Sequence, residues 1–292
     1  MSQFGNAPYF LALASALLYG AGDFTGGLAT RRAGVLPVVV VSQSSGLVLL
    51  LLFLPFLPPA WLSRADLLWS VSAALTGGAG VALLYRALAV GRMAVVAPTT
   101  AVCAVAIPVL VAVLLGERPG LPAAAGILLG VGSIVLVSQQ TAAEGAGGHA
   151  PAGRLPPGIA LALVSGVAIG LFFLSLARTS AQAGMWPVLV SRAVSVTLFG
   201  AAAAAGRRSL RLPGVLLLAL VCGVVDMSAN ALYLLAARSA PLSVVVTLSS
   251  LYPASTVLLA RVVLGERLNA RQITGVGCAL AAIMLIVSGG AP

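Results

Sequence analysis

The sequence predicts an all-α integral membrane protein, with ten transmembrane helices arranged as two inverted five-helix repeats. Three observations carry this expectation. Of the 292 residues, 60% are hydrophobic and 8% charged, with a mean hydropathy of +1.12; a soluble domain solvates its surface with about a quarter charged residues. Apolar segments of roughly 20 residues, the length that crosses about 30 Å of hydrocarbon as a helix, recur from end to end. Finally, the chain repeats itself. LLGERPGLPAAAGILLGVG from Leu114 is matched by VLGERLNARQITGVGCALA from Val263, and Tyr85 by Tyr233, at an offset of 148 to 149 residues.

The first repeat, residues 1–138, holds five spans. Span 1 (9–30) runs into Arg31 and Arg32; Met1 to Tyr9 carries no basic residue, so the segment reads as a retained span and not as a secretory signal. Span 2 (36–57) contains Leu47 to Leu54, apolar on every face, which excludes the alternating polarity of a β-barrel strand and leaves the helix as the only spanning form. Span 3 (66–86) ends at Tyr85 and Arg86, and span 4 (93–115) carries Pro98 and Pro108 before the apolar run Val109 to Leu115. Span 5 (120–138) contains Gly126-Ile-Leu-Leu-Gly130.

Residues 139–157, QQTAAEGAGGHAPAGRLPP, form the longest polar interruption and read as a flexible linker at the midpoint. The second repeat, residues 158–292, holds span 6 (158–178), span 7 (184–205) with Pro187 and Arg192, and span 8 (212–236) with Asp226. Span 9 (241–264) carries Tyr252 and Pro253, and span 10 (270–288) carries Gly275-Val-Gly-Cys-Ala279. This last stretch matches the glycines of span 5, and the two small-residue stripes predict a packing seam between the halves. The prolines interrupt helical hydrogen bonding and free carbonyls near Thr99, Thr100, Ser249 and Ser250, as hinges, as polar site atoms or as breaks an ordinary membrane helix tolerates.

Five spans per repeat is an odd number, so the second repeat enters the bilayer from the opposite side. A central site between inverted halves can be opened to one side and then the other, which favours a transporter over a receptor or scaffold. No Walker A sequence or large soluble domain is present to make ATP the direct energy source. For orientation, the odd-numbered connections hold Arg31, Arg32, Arg86, Arg92, Arg154, Arg207, Arg208, Arg211, Arg267 and Arg271, against Arg64, Arg118, Arg178 and Arg238 in the even ones. The positive-inside rule then places both termini outside.

The net charge of +10 comes from arginines scattered between apolar runs, the pattern of membrane-flanking loops and not of a nucleic-acid face. Cys103, Cys222 and Cys278 are far apart and the single His149 lies in the linker, so neither a disulfide framework nor a metal or cofactor site is expected. There is also no Ser/His/Asp set or close carboxylate pair to suggest an enzyme.

An ionisable group inside a span costs about 2.5 kcal/mol or more and is a functional candidate by default. Asp226 lies mid-span with Asn230 four and Tyr233 seven residues on, which places all three on one face, a candidate cavity wall. Asp226 either binds a substrate amine or takes up a proton that couples transport; the plain alternative is a structural bond to Arg192. Asp23, in the GxxxG of Gly22 to Gly26 and towards the end of its span, is either a substrate contact or has a local role, as an ion-pair partner of Arg31 or at the helix end. Arg192 either grips an anionic group or neutralises Asp226, in which case the neutral site suits a zwitterion. Tyr85, Tyr233 and Tyr252 either line a cavity or anchor span ends at the interface. Glu117 and Glu266 fall just past span ends and are expected to cap the next helix and fix the loop.

The two L-G-E-R motifs at Leu115 to Arg118 and Leu264 to Arg267, with Tyr85-Arg-Ala-Leu-Ala and Tyr19-Gly-Ala-Gly-Asp-Phe, resemble the EamA-type family of the drug/metabolite transporter superfamily. The resemblance covers nearly the whole chain. It implies a multi-pass carrier of the bacterial inner membrane, often an exporter of amino acids or other small metabolites, with spans 1–4 and 6–9 around a central cavity. It also implies cytoplasmic termini, against the arginine count. Relatives often carry an Arg early in span 2; this chain has Ser44 there, and the matching site in span 7 is Arg192. The expected partners are a small-molecule substrate and the lipid bilayer, with proton coupling and a monomer or homodimer open, and a flippase for a lipid-linked head group as the alternative activity.

Overall fold

The computed structural model describes residues 7–114, 121–122, 124–126, 128–130, 132, 157–239, 248–249, 251–266 and 270–289. Among these residues there is no strand. The main helices are α1 (Ala7–Ala33), α2 (Val35–Phe53), α3 (Arg64–Val90), α4 (Met93–Leu114), α5 (Ile159–Ala177), α6 (Trp186–Ala205), α7 (Leu216–Ser239), α8 (Tyr252–Leu264) and α9 (Ala270–Gly289). Helices α1 to α4 fall on predicted spans 1 to 4, α5 to α7 on spans 6 to 8, and α8 and α9 on spans 9 and 10. Most of the linker, His149, Glu117, Arg118, Arg154 and Arg267, and the side chains of Pro108, Arg238 and Arg271, lie outside the described residues, as does Ser250.

By length and composition five described segments can cross a membrane: Val35–Phe56, Arg64–Val90, Ile159–Leu176, Trp186–Ala205 and Leu216–Ala236. The stretches Met93–Ala104, Tyr252–Leu264 and Ile273–Leu285 are shorter apolar helices. Helix α1 is long enough, but Gly, Ser, Thr and Asp23 dilute its apolar content. Large apolar side chains face outward along the helices, among them Phe10, Leu17, Leu52, Leu68, Leu217 and Val262. Such a surface is stable against hydrocarbon and costly in water.

Local chemistry sets the helix ends. Gly34 takes a positive φ of 82° between α1 and α2, a conformation that costs glycine nothing. Helix α3 opens with a capping box, in which Asp66 N–H donates to Ser63 Oγ at 3.1 Å and Ser63 N–H donates to Asp66 Oδ2 at 3.0 Å. Ser180 N–H donates to the same carboxylate at 2.7 Å, fixing the loop after α5 to the start of α3. Pro187 and Pro253 sit in the first turns of α6 and α8, where a missing N–H leaves no helical bond unmade. For Pro187 the expected interruption within a span is therefore absent. At Pro253 a break does occur, because Leu248 and Ser249 are helical and α8 restarts after a turn at Leu251.

The helices pack across the two sequence halves. Helix α1 runs antiparallel to α7: Ser15 Oγ donates to Ala229 O at 3.0 Å, and further along α1 the Cys222 thiol donates to Gly22 O at 3.4 Å. Helix α8 lies on α1, with Thr256 Oγ1 donating to Gly20 O at 3.1 Å, and Gly20 leaves no room for a Cβ beside Ser255. Helix α2 joins them through Gly223, whose missing side chain lets the Ser42 carbonyl approach. On the other side α3 runs antiparallel to α5, where Ser165 Oγ donates to Gly80 O at 2.8 Å and Ser72 meets Ser175 at 2.9 Å. Gly166 and Gly170 of α5 admit the carbonyls of Thr100 and Ala104 in α4, and Gly78 of α3 meets Ser195 of α6. Small residues and buried Ser or Thr bonds hold helices together in a medium that supplies no hydrophobic driving force. Two groups result, α1, α2, α7 and α8 against α3, α4, α5 and α6.

The expected seam between the glycine stripes is modified. A Cβ at Gly130 would clash with Val102 of α4 and come within van der Waals contact of Ala282 of α9, whereas one at Gly277 would face open space.

Candidate functional site

Where the two groups meet, charge gathers. Asp226 sits midway along α7, and its carboxylate is ion-paired with Arg192 of α6. Arg192 also donates to the side-chain carbonyl of Gln43 in α2. The Asp226 and Arg192 side chains are 18% and 11% exposed, so the pair is largely removed from solvent but still reachable. Two charges taken from water are tolerated because each satisfies the other, and removal of one partner would strand the second.

Asn230 turns back onto this pair: its Nδ2 donates to the Asp226 backbone carbonyl at 2.8 Å and to Oδ2 at 3.4 Å. Tyr233, further along α7, packs its ring 6.1 Å from Phe173 of α5. Asp226, Asn230 and Tyr233 therefore share the face that their spacing predicts, and they lead from the ion pair towards the aromatic residues of the other group.

Asp23 of α1 lies near this cluster. Its carboxylate is within electrostatic range of Asp226, and among the described residues it has no hydrogen bond or ion pair. The expected alternative of a local pair with Arg31 is overturned. Arg31 instead donates to the carbonyls of Leu88 and Gly91, each at 3.2 Å, and faces Glu266 at 3.6 Å. Glu266 in turn accepts from the backbone N–H groups of Met93 and Ala94 at 3.2 and 3.1 Å. It is a helix cap as expected, but among the described residues the helix it caps is α4 in the first half.

Tyr85 is 3% exposed, so it is no interface anchor. Its ring fills the space that Gly26 leaves in α1, and its hydroxyl meets Cys222 Sγ at 3.0 Å. Tyr252, at the start of α8, packs edge-on to Tyr19 with ring centroids 6.3 Å apart. Both hydroxyls are buried and, among the described residues, without a hydrogen-bond partner.

The sequence matches the EamA-like transporter family over residues 6–139 and again over 156–288. The chain belongs to this family. It is accordingly a multi-pass membrane transporter of the drug/metabolite type, and EamA proteins are transporters, not enzymes. A solved crystal structure shares the EamA chain's fold, with a TM-score of 0.61 at 18% sequence identity over 96% of each chain. No curated protein matches the sequence.

Gln43 and Tyr19 are the site residues that sequence reasoning missed. Gln43 stands 149 residues before Arg192 and next to Ser44, the counterpart that the resemblance assigns to Arg192, so the two touching residues lie at or one position from equivalent places in the two EamA repeats. A polar side chain in the otherwise apolar span 2, at the repeat offset from an intramembrane arginine, was the available signal.

Proposed function

We propose that this EamA protein is a secondary-active exporter of a small metabolite such as an amino acid, working by alternating access across the bacterial inner membrane. In this reading its ten spans form two inverted five-helix repeats, residues 1–138 and 158–292, joined by a flexible linker. Support comes above all from the ion-paired Arg192, which reaches from one helix group to Asp226 and Gln43 in the other. Within each group, backbones interlock through glycines and buried hydroxyl bonds that cannot slide without steric clash. Between the groups, the Arg192 contact is polar and reversible, alongside the packing of Tyr85 and Leu88 against Gly26 and Gly27. A rocking motion would therefore open along the Arg192 contact while each group moves as a body.

A zwitterionic substrate exchanges partners with this pair, its ammonium meeting carboxylate and its carboxylate meeting the guanidinium in a bidentate pair. Protonation of Asp226 removes the charge that holds Arg192, which would couple opening to a proton gradient. The test is flux of labelled amino acids in proteoliposomes under an imposed proton gradient. Asp226→Asn should abolish gradient-driven flux; undiminished flux in that variant overturns the role given to Asp226. Flux seen only with a bilayer-embedded substrate would replace the metabolite carrier by a flippase for a lipid-linked head group.

A further inference from the structure

The two groups are also tied at one end of the bundle, by residues that take no part in the Arg192 cluster. Helix α8 ends at Gly265, whose positive φ of 65° turns the chain, and the Glu266 N–H returns to Ala260 O at 3.3 Å, so Glu266 moves with α8. Its carboxylate accepts from Met93 and Ala94 at the first turn of α4. Arg31, near the end of α1, donates to Leu88 O and Gly91 O where α3 ends. A carboxylate therefore meets the positive end of one helix and a guanidinium the negative end of another. The Arg31 and Glu266 side chains face each other at 3.6 Å and are 29% and 12% exposed, so solvent screens the pair only in part. Both residues belong with α1, α2, α7 and α8, and both grip the α3–α4 turn of the other group. Beneath them the end is sealed by apolar side chains: Leu88 and Met93 are fully buried, and a Cβ at Gly27 of α1 would clash with Leu88.

The arginine of this tie is not repeated. Ser15 donating to Ala229 O and Ser165 donating to Gly80 O are equivalent bonds, which sets the register of α1 on α5 at 150 residues. At that spacing Arg31-Arg-Ala-Gly34 falls on Ala181-Gln-Ala-Gly184, and Gly34 and Gly184 share a positive φ, 82° and 56°. The L-G-E-R motifs give each half a glutamate, Glu117 and Glu266, but alanine stands in the place of Arg31. Ser180, beside that alanine, bonds to Asp66 within its own group. Near this opposite end α2 and α6 meet through Leu50, Val188 and Leu189, apolar contacts that include no ion pair among the described residues.

Resting on the transport reading above, we propose that Arg31 and Glu266 form a clasp that holds the carrier closed at this end and sets its resting state. Inverted repeats exchange roles as the carrier turns over, so two identical halves would favour neither state. A clasp complete at one end and without its arginine at the other makes the states unequal. The chain rests closed at the Arg31 end and admits solute from the opposite one. To open at the Arg31 end it must release two carbonyls, two backbone N–H groups and an ion pair together.

The test uses two reporters, Thr30→Cys and Leu189→Cys, each in a background without native cysteines. Thr30 is buried on the α1 face that carries Gly26 and Gly27, and Leu189 is buried between α6 and α2 near the opposite end. Their rates of reaction with a hydrophilic maleimide are read in lipid nanodiscs, which expose both faces of the bilayer. Arg31→Ala and Glu266→Gln should each speed labelling at position 30 about fivefold or more and slow it at position 189, as a minor state of about 1–10% grows at the expense of the resting one. Arg31→Lys, which keeps the charge but not the planar fork, should fall between. Faster labelling at both positions overturns the proposal, since it reports loosened packing and not a shift between states; unchanged rates in folded variants overturn it too. If Arg31→Ala does not fold, Glu266→Gln and Arg31→Lys decide. Flux of labelled amino acids in proteoliposomes separates the two readings. Flux with unchanged labelling rates overturns the clasp and leaves the carrier; reciprocal labelling without flux overturns the amino-acid exporter and leaves the clasp.

Discussion

Arg192 answers to two acceptors at once, and this makes its removal costly. A neutral replacement strands Asp226 in a medium of low dielectric, where breaking a buried pair costs about 3 kcal/mol or more. Arg192→Met should therefore lower the unfolding temperature markedly, whereas the double variant Arg192→Met, Asp226→Leu should recover most of the loss, because no charge is left alone. A thermal-unfolding double-mutant cycle in detergent checks this; additive losses would show that the two side chains do not stabilise each other. Gln43→Leu removes one hydrogen bond to a charged group and should cost only about 1.5–3 kcal/mol. At this scale Asp226, Asn230 and Tyr233 were legible because helical spacing alone puts them on one face. Gln43 and Tyr19 were not, because a lone Gln or Tyr in an apolar run has no local pattern to mark it. Asp23 was legible as a candidate, but its neighbours were not: Arg31, close in sequence, turns to Glu266.

Helix ends and helix contacts follow separate rules, and each yields a test. Glu266 caps α4 across the sequence halves, so Glu266→Ala should destabilise by about 1 kcal/mol, the usual cost of a lost N-cap. It should also raise hydrogen exchange at Met93 and Ala94. Unchanged exchange at these amides would mean that the cap is not made in solution. Gly223 admits the Ser42 carbonyl to a separation that leaves no space for a side chain. Gly223→Val should therefore separate α2 from α7 and leave little monodisperse protein on gel filtration, while the same change at Gly277, which faces open space, should be tolerated. Apolar length located these elements, but it could not say which glycines are packed, since a small-residue stripe reads the same whether or not a neighbour lies against it.

For the molecule as a whole, the packing groups cut across the repeats: α7 and α8 of the second half belong with α1 and α2 of the first. A short crosslink between cysteines at Ser15 and Ala229, within one group, should leave transport intact in a background without native cysteines. A crosslink between Arg31 and Gly91, which joins the groups at one end, should stop it until the link is cleaved. Proteoliposome flux before and after cleavage reads both. Transport that survives the Arg31–Gly91 link would refute rocking of these two groups.

The sequence by itself determined the helical membrane class, the duplication and the family. Apolar length, lipid's demand that backbone groups pair internally, and self-similarity at a fixed offset are all properties of the chain read along its length. It also nominated Asp226 and Arg192, because any charge inside such a span must have a reason to be there. Only the tertiary structure decided that these two residues pair, that Gln43 shares the arginine, that Arg31 turns away from Asp23 to Glu266, and that Glu266 caps a helix from the other half. Each of these depends on which helix lies beside which. That choice is made by close approach at small residues distributed over many positions, and no short stretch of sequence contains it.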